Sequence, residues 1–246
     1  MHFEAQAANY ARARPPYPAA LWESLRDHHL LRPGGHVLDL GAGTGQATGP
    51  LLDAGLRVTA VEPGPRLADQ LRAEHPAATV VVSRAEDIDL PAASFDIAVA
   101  ATSIHWMDLD VVLPKVHRLL VPSGKLLVWR NVFGDPSITT PFRDRVAEIV
   151  RARDAPPRPG SNAEDVEATS TELTRRGLFA VEDISTFRWS IELDGAQVHR
   201  LFSTFSDWSA QEVDRVVEAV VDLGGHVLEH YTSWLIVLNP LRSPVR

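Results

Sequence analysis

The chain contains no cysteine, which excludes disulfides and thiolate zinc sites. No apolar stretch approaches the roughly 20 residues that a membrane-spanning helix needs, and the N-terminus lacks the apolar core of a secretory leader. A cytoplasmic location is the expectation, with no membrane partner. Basic runs are missing as well. Lys and Arg number 24 against 32 Asp and Glu, for a net charge of −8 and a pI near 5.7. That balance argues against a partner read through its nucleic-acid phosphates. No spacing of His and carboxylates reads as a metal site, and no internal repeat or long low-complexity segment is present. What remains is ordinary for a globular chain: 45% apolar and 23% charged residues. Its 246 residues suit one α/β domain with an elaboration.

The most informative stretch is His36-Val37-Leu38-Asp39-Leu40-Gly41-Ala42-Gly43-Thr44-Gly45. Val37 to Leu40 read as a buried strand, and Gln46 to Leu52 supply helix-forming residues, so the glycines mark a strand-to-helix turn. Gly41, Gly43 and Gly45 let the backbone turn tightly and approach a ligand, and the following helix start favours negative charge. A dinucleotide fingerprint wants G-x-G-x-x-G; counting from Gly41, its last position here is Gln46. Asp39, on the strand just before the turn, would repel a pyrophosphate but suits a ligand carrying a positive amine. Downstream, Arg57 to Val61 form a β-rich run that ends at Glu62, 21 residues after Gly41. A carboxylate there can accept hydrogen bonds from ribose hydroxyls.

The segment Val37 to Gly45 closely resembles motif I of the class I S-adenosylmethionine-dependent methyltransferases. Tyr10-Ala11-Arg12-Ala13-Arg14-Pro15-Pro16-Tyr17-Pro18 is similar to the Y-x-x-x-R-P-x-Y-P opening of a small-molecule subgroup that includes trans-aconitate methyltransferase-like proteins. Ser83 to Pro91 resemble the adenine segment of the family, with Arg84 standing where an acid is common, and Ser94 to Ala100 resemble its F-D-x-V strand. The His105-Trp106 pair that follows is common among the small-molecule members. The resemblance implies a Rossmann-like fold: a seven-stranded, mostly parallel sheet with helices on both faces, the last strand antiparallel, and a helical lid. It divides the chain into N-terminal helices over the cofactor (1–32), a cofactor-binding core (33–133), a lid insertion (134–177) and edge strands with helices (178–246).

The same resemblance implies S-adenosyl-L-methionine as cofactor, with S-adenosyl-L-homocysteine as its product. Tyr10, Arg14, Asp39, Gly41, Ala42, Gly43, Thr44, Gly45, Glu62, Pro63, Ala85, Glu86 and Ala101 are the expected cofactor residues. Tyr17, His105, Trp106, Trp129, Arg130, Asn131 and Trp208 are the expected acceptor residues. His105 is read as a pocket wall or a base, the wall being favoured. The acceptor is a small metabolite methylated on O, N or C, with carboxylate or hydroxyl favoured, in a monomer or homodimer. Two alternatives stay open: a fold relative that binds S-adenosylmethionine without methyl transfer (a cyclase or partner protein), and an NAD(P)-dependent oxidoreductase.

Periodicity sets the remaining elements. Helices are expected over 2–14, 18–31, 66–74, 109–120, 142–153, 166–176 and 210–223. Strands are expected over 79–82, 125–131, 179–191 and 227–238. Pro122-Ser123-Gly124 reads as a turn and Ala155 to Gly160 as a loop, and His230 reads as a surface strand residue.

Overall fold

The computed structural model describes residues 13–135, 137–153, 164–205 and 207–241. The chain runs through α1 (Ala19–Asp27), β1 (His36–Leu40), α2 (Thr48–Asp53), β2 (Arg57–Glu62), α3 (Pro65–Glu74) and β3 (Thr79–Val82). A 3₁₀ turn at Ala85–Asp87 leads to β4 (Phe95–Ala101), a second at Ile104–Trp106 to α4 (Leu109–Leu119), and β5 (Leu120–Phe133) follows directly. The rest is α5 (Pro141–Arg151), α6 (Val166–Thr174), β6 (Phe179–Asp194), α7 (Gly195–Phe202), α8 (Ala210–Asp222) and β7 (His226–Pro240).

The seven strands form one sheet in the order β3-β2-β1-β4-β5-β7-β6. β1 pairs in parallel with β2 and β4, β2 with β3, and β4 with β5, while the last strands are antiparallel. The expected sheet is therefore present. Its central strands are buried nearly end to end, as parallel strands with covered faces are. Among the described residues no helix is long and apolar enough to cross a membrane.

Several boundaries differ from expectation, each for a local reason. The helix after the glycines starts at Thr48, because residues 43–47 continue as turns. α1 ends at Asp27, ahead of His29 with its positive φ of 54°. Pro122-Ser123-Gly124 does not separate a helix from a strand but sits inside β5 as a bulge. Phe95 faces Leu120 while Ile97 faces Lys125, so extra residues of β5 are looped out. Gly124 fits there because a Cβ would lie 3.1 Å from the Asp96 carbonyl. The two 3₁₀ turns are too short to carry a periodic signal. Residues 1–12 of the expected first helix, and the proline-rich loop 155–160, lie outside the described residues.

The chain clusters into two compact units. The larger takes Tyr17–Asn131, Asn162–Phe187 and Ser233–Arg246; the smaller takes Met1–Pro16, Val132–Ser161 and Arg188–Thr232. The segment 134–177, expected as one lid, is thereby divided, with α5 in the smaller unit and α6 in the larger.

In the larger unit, Leu21 and Leu25 of α1 join Val37, Val58, Ala60, Val99, Leu127 and Leu235 in one apolar cluster. Its aromatic centre is Trp129, set edge-on to Tyr17 at 5.8 Å and to Trp22 at 5.6 Å between ring centroids. Arg175 and Arg176, just after α6, form ion pairs with Asp110 at the start of α4. The smaller unit has its own core, built from Phe142, Val146 and Ile149 of α5, Val198 and Phe202 of α7, and Val213, Val216 and Val220 of α8. α7 and α8 each open with a capping box, Asp194 with Gln197 and Ser209 with Glu212, which satisfies backbone donors at both helix starts.

Two tryptophans serve as a stability contrast. Trp129 is fully buried and Trp106 is 69% exposed. Truncating a buried Trp leaves a cavity, so Trp129→Ala should destabilise the protein by about 3–5 kcal/mol. Trp106→Ala should change stability by less than about 0.5 kcal/mol. Denaturant titration of both variants checks the pair of outcomes.

Candidate functional site

The carboxyl ends of β1, β2 and β4 converge on the glycine turn. Gly41 and Ala42 donate their N–H groups to the Val61 carbonyl at 2.8 and 3.0 Å, which ties the turn to β2. Gly41 has φ +67°, and a Cβ on it would stand 2.7 Å from Cβ of Ser103, so no larger residue fits. Ser103 in turn donates from Oγ to the Leu40 carbonyl at 2.6 Å. Gly43, also at positive φ, faces open space, with nothing within 4 Å of where a Cβ would be. That is the side on which a ligand can come close to the backbone.

Two buried carboxylates organise this turn. Glu62, 5% exposed, accepts the Gly43 N–H on Oε2 and the Gly64 N–H on Oε1, both at 2.8 Å. It thereby clamps the glycine turn to the segment that follows β2. Asp39 is completely buried. Its Oδ2 accepts from Thr48 Oγ1 at 2.7 Å, but Oδ1 has no hydrogen-bond partner among the described residues. Burial drives its pKa up to about 6; the Thr48 hydrogen bond opposes the rise and the charge of Glu62 adds to it.

The neighbouring segments are ordered as well. Ala85 is buried in its 3₁₀ turn. Glu86 accepts from the Asp108 N–H at 2.8 Å and pairs with Arg84 at 3.2 Å. Arg84, the departure from the family pattern, thus holds Glu86 in place. Pro63 is partly exposed, Ala42 and Thr44 are buried, and Ala101 closes β4 at intermediate burial.

Beyond β4 the backbone is strained: Thr102 has φ +58°, uncommon for a residue other than glycine and costing on the order of 1 kcal/mol or more. It is held there by the Tyr17 hydroxyl at 3.0 Å from its Oγ1 and by its own N–H donating to the Trp129 carbonyl at 2.8 Å. His105 follows in the second 3₁₀ turn, its ring 4.7 Å from that of Trp106. Arg130 Nη1 stands 3.0 Å from His105 Nδ1, and Arg130 Nη2 lies 3.9 Å from a Glu164 carboxylate oxygen. A guanidinium has only donors, so Nδ1 presents its lone pair and the ring proton resides on Nε2. Asn131 Oδ1 accepts from Ser233 Oγ at 2.7 Å.

Not every expected residue joins this group. Trp129 was expected to face the acceptor, but the structure packs it in the core with no exposed surface. Its strand position cannot reveal that Tyr17 and Trp22 cover it. Tyr17 is likewise 7% exposed and meets Thr102 through its hydroxyl. Arg14 and Trp208 belong to the smaller unit, where Arg14 stacks over Phe205 and Trp208 packs on Phe202. Tyr10 lies outside the described residues. Sequence reading missed Thr48 and Ser103, the hydroxyls that hold Asp39 and the end of β1. Their only signal is a small hydroxyl residue directly after a glycine turn or a strand end. Among the described residues no group of three or more His, Asp or Glu is placed to hold a metal ion.

The methyltransferase domain family matches residues 38–128 of the chain. An uncharacterized methyltransferase of Mycobacterium tuberculosis is 40% identical over 132 residues, 53% of each chain. Malonyl-acyl-carrier-protein O-methyltransferase of Serratia marcescens is 30% identical over 131 residues, 50% of this chain and 51% of the relative. The chain thus spans about half the length of these curated relatives. A solved structure from Anaeromyxobacter dehalogenans, provisionally described as a type II methyltransferase, superimposes with a TM-score of 0.69 at 26% identity, covering 92% of this chain and 97% of that one. Sheet order, glycine-turn geometry and these likenesses converge: residues 38–128 match a methyltransferase domain, and the chain is similar to class I S-adenosylmethionine-dependent methyltransferases.

Proposed function

We propose that the protein transfers the methyl group of S-adenosylmethionine to an oxygen of a small-molecule acceptor. The observation that carries this reading is Asp39 Oδ1, a buried oxygen without a hydrogen bond among the described residues, at the foot of the open glycine turn. An unmatched buried acceptor costs about 1–3 kcal/mol, and a cationic amine is the group that relieves it best. The residues present fit the cofactor on this test. Asp39 would take its ammonium and Gly43 would admit it close to the backbone. A carboxylate has about four acceptor positions, so Glu62 is compatible with clamping the turn and meeting ribose hydroxyls together. Ala85 and Glu86 are the candidates for the adenine edge. A pyrophosphate, by contrast, would meet two buried acids, which disfavours a dinucleotide.

Bound S-adenosylmethionine supplies an already activated methyl group on a sulfonium. The residues of the chain are left with orientation, and positioning of reactants supplies roughly 7–11 kcal/mol in favourable cases. Residues at the end of β4 perform it here. The strained Thr102 fixes the path into the 3₁₀ turn, and Arg130 holds the imidazole of His105. With its proton on Nε2, His105 offers a hydrogen-bond donor to the acceptor molecule rather than a base. A carboxylate acceptor needs no base. The Serratia marcescens relative, by its name an O-methyltransferase for a malonyl acid, supports oxygen as the methylated atom. Transfer of labelled methyl from S-adenosylmethionine to a panel of carboxylic acids and phenols tests the proposal. Product in any of them supports it, and cofactor binding without product from any of them favours the non-transferring relative.

Two further outcomes follow from the site. Asp39 must be ionised to hold an ammonium, and its pKa of about 6 means that binding below that pH expels a proton. The sign is therefore a loss of affinity on acidification. S-Adenosylhomocysteine should bind about tenfold more weakly at pH 5 than at pH 7, where its amine stays protonated, and Asp39→Asn should flatten the dependence. Isothermal titration across that range is the check, and equal affinity at both ends contradicts the assignment. For His105, an amide can replace an N–H donor but not a base. His105→Asn should keep turnover within about threefold, whereas His105→Ala should lose about tenfold, near the worth of one hydrogen bond. Initial rates of both variants decide, and equal losses would restore the base.

A further inference from the structure

The smaller unit buries a polar cluster of its own. Along β7 the period-two alternation sets Val227, Glu229 and Tyr231 on one buried face. Glu229 is 1% exposed and Tyr231 3%. Arg143 of α5 donates from Nε to Glu229 Oε1 at 2.7 Å, and its Nη2 lies 2.6 Å from the same oxygen. The guanidinium carbon sits 3.9 Å from the centroid of the Phe133 ring. One carboxylate oxygen thus collects both contacts. The other, Oε2, has no hydrogen-bond partner among the described residues, and neither has the Tyr231 hydroxyl.

The phenol is walled by aromatics. Tyr231 stacks on Trp189 with centroids 4.8 Å apart and meets Phe133 edge-on at 5.4 Å. Burial, and after it the charge of Glu229, push its pKa far above the usual tyrosine range, so it keeps its proton and remains a donor. Two orphan polar groups on one face of one strand are unusual in a native interior, where nearly all such groups are paired. Arg143 already neutralises Glu229, so the cluster offers one O–H donor and one acceptor oxygen rather than a spare charge. Arg14, another guanidinium of the unit, lies 4.7 Å over the Phe205 ring.

A group that accepts from Tyr231 and donates to Glu229 Oε2 satisfies both orphans at once. A hydroxyl or an amine does so; a carboxylate meets the acidic oxygen unfavourably, and a hydrocarbon leaves both atoms unmatched. We propose that Glu229 and Tyr231 form the recognition point, within the smaller unit, for a hydroxyl or amino group carried on an aromatic or similarly apolar small molecule.

The test uses the full chain saturated with S-adenosylhomocysteine, titrated with phenol, aniline, toluene and benzoate and followed by ligand-observed NMR. Phenol and aniline should bind at least tenfold more tightly than toluene or benzoate. Tyr231→Phe, which keeps the ring and its stacking, should lose about tenfold in phenol affinity while its affinity for S-adenosylhomocysteine stays within twofold. Unchanged phenol binding in that variant overturns the proposal. So does wild-type binding of toluene or benzoate as tight as that of phenol, since buried water then satisfies the two atoms. Should Tyr231→Phe fail to fold, the wild-type ranking alone decides. If S-adenosylhomocysteine does not bind the wild type, the methyltransferase reading falls, and the same titrations on the chain alone still decide the subsite.

Discussion

Two carboxylates buried within one glycine turn of each other constrain everything around them. Asp39 sits one residue from the end of β1, and Glu62 ends β2, its parallel neighbour. Burying one carboxylate is costly and burying two invites repulsion. The chain meets the cost in two ways. Glu62 receives two backbone N–H bonds, which suit its charged form. Asp39 receives one hydroxyl and keeps an unmatched oxygen, so its proton becomes easier to hold. The unequal treatment leaves one acid to shape the turn and one with an oxygen unmatched among the described residues. The positive φ angles of Gly41, Gly43 and Gly45 follow from the path that the clamp imposes.

The larger unit carries this machinery on buried parallel strands, where rigid elements hold the turn and the 3₁₀ segments. Thr102, with its positive φ, lies a short step from the histidine that Arg130 orients. A hydrogen bond shared with the Tyr17 hydroxyl and one to the Trp129 carbonyl fix Thr102, so core packing is converted into placement of His105. Trp129 therefore contributes through what it supports rather than through its surface. The smaller unit has a separate core of helix faces, and among the described residues the polar groups Glu229 and Tyr231 buried in it are hydrogen-bonded only in part. That feature suits recognition better than stability, because a well-packed apolar replacement would be at least as stable.

The turn and Glu62 were legible in the sequence because their signals are local. A strand, three glycines and a helix start follow one another directly, and Glu62 closes the next β-rich run. The seven strands were legible for the same reason, each being a run of apolar or alternating residues. What escaped depends on contacts between distant segments. Trp129 reads as an exposed strand end until Tyr17 and Trp22 are seen to cover it. The bulge in β5 hides behind a tripeptide that is equally good turn chemistry. Arg130 reads as an acceptor residue, yet in the fold it holds His105. Glu229 stands at the buried parity of an apolar strand, the one trace that a charged residue there turns inward.

The central claim is that the glycine turn with Asp39 and Glu62 cradles an S-adenosyl amino acid and not a dinucleotide. Calorimetric titration of ligand-free protein with S-adenosylhomocysteine, beside an identical titration with NADH, addresses it most directly. The account predicts micromolar binding of S-adenosylhomocysteine and none of NADH. Tight NADH binding with no response to S-adenosylhomocysteine would contradict it.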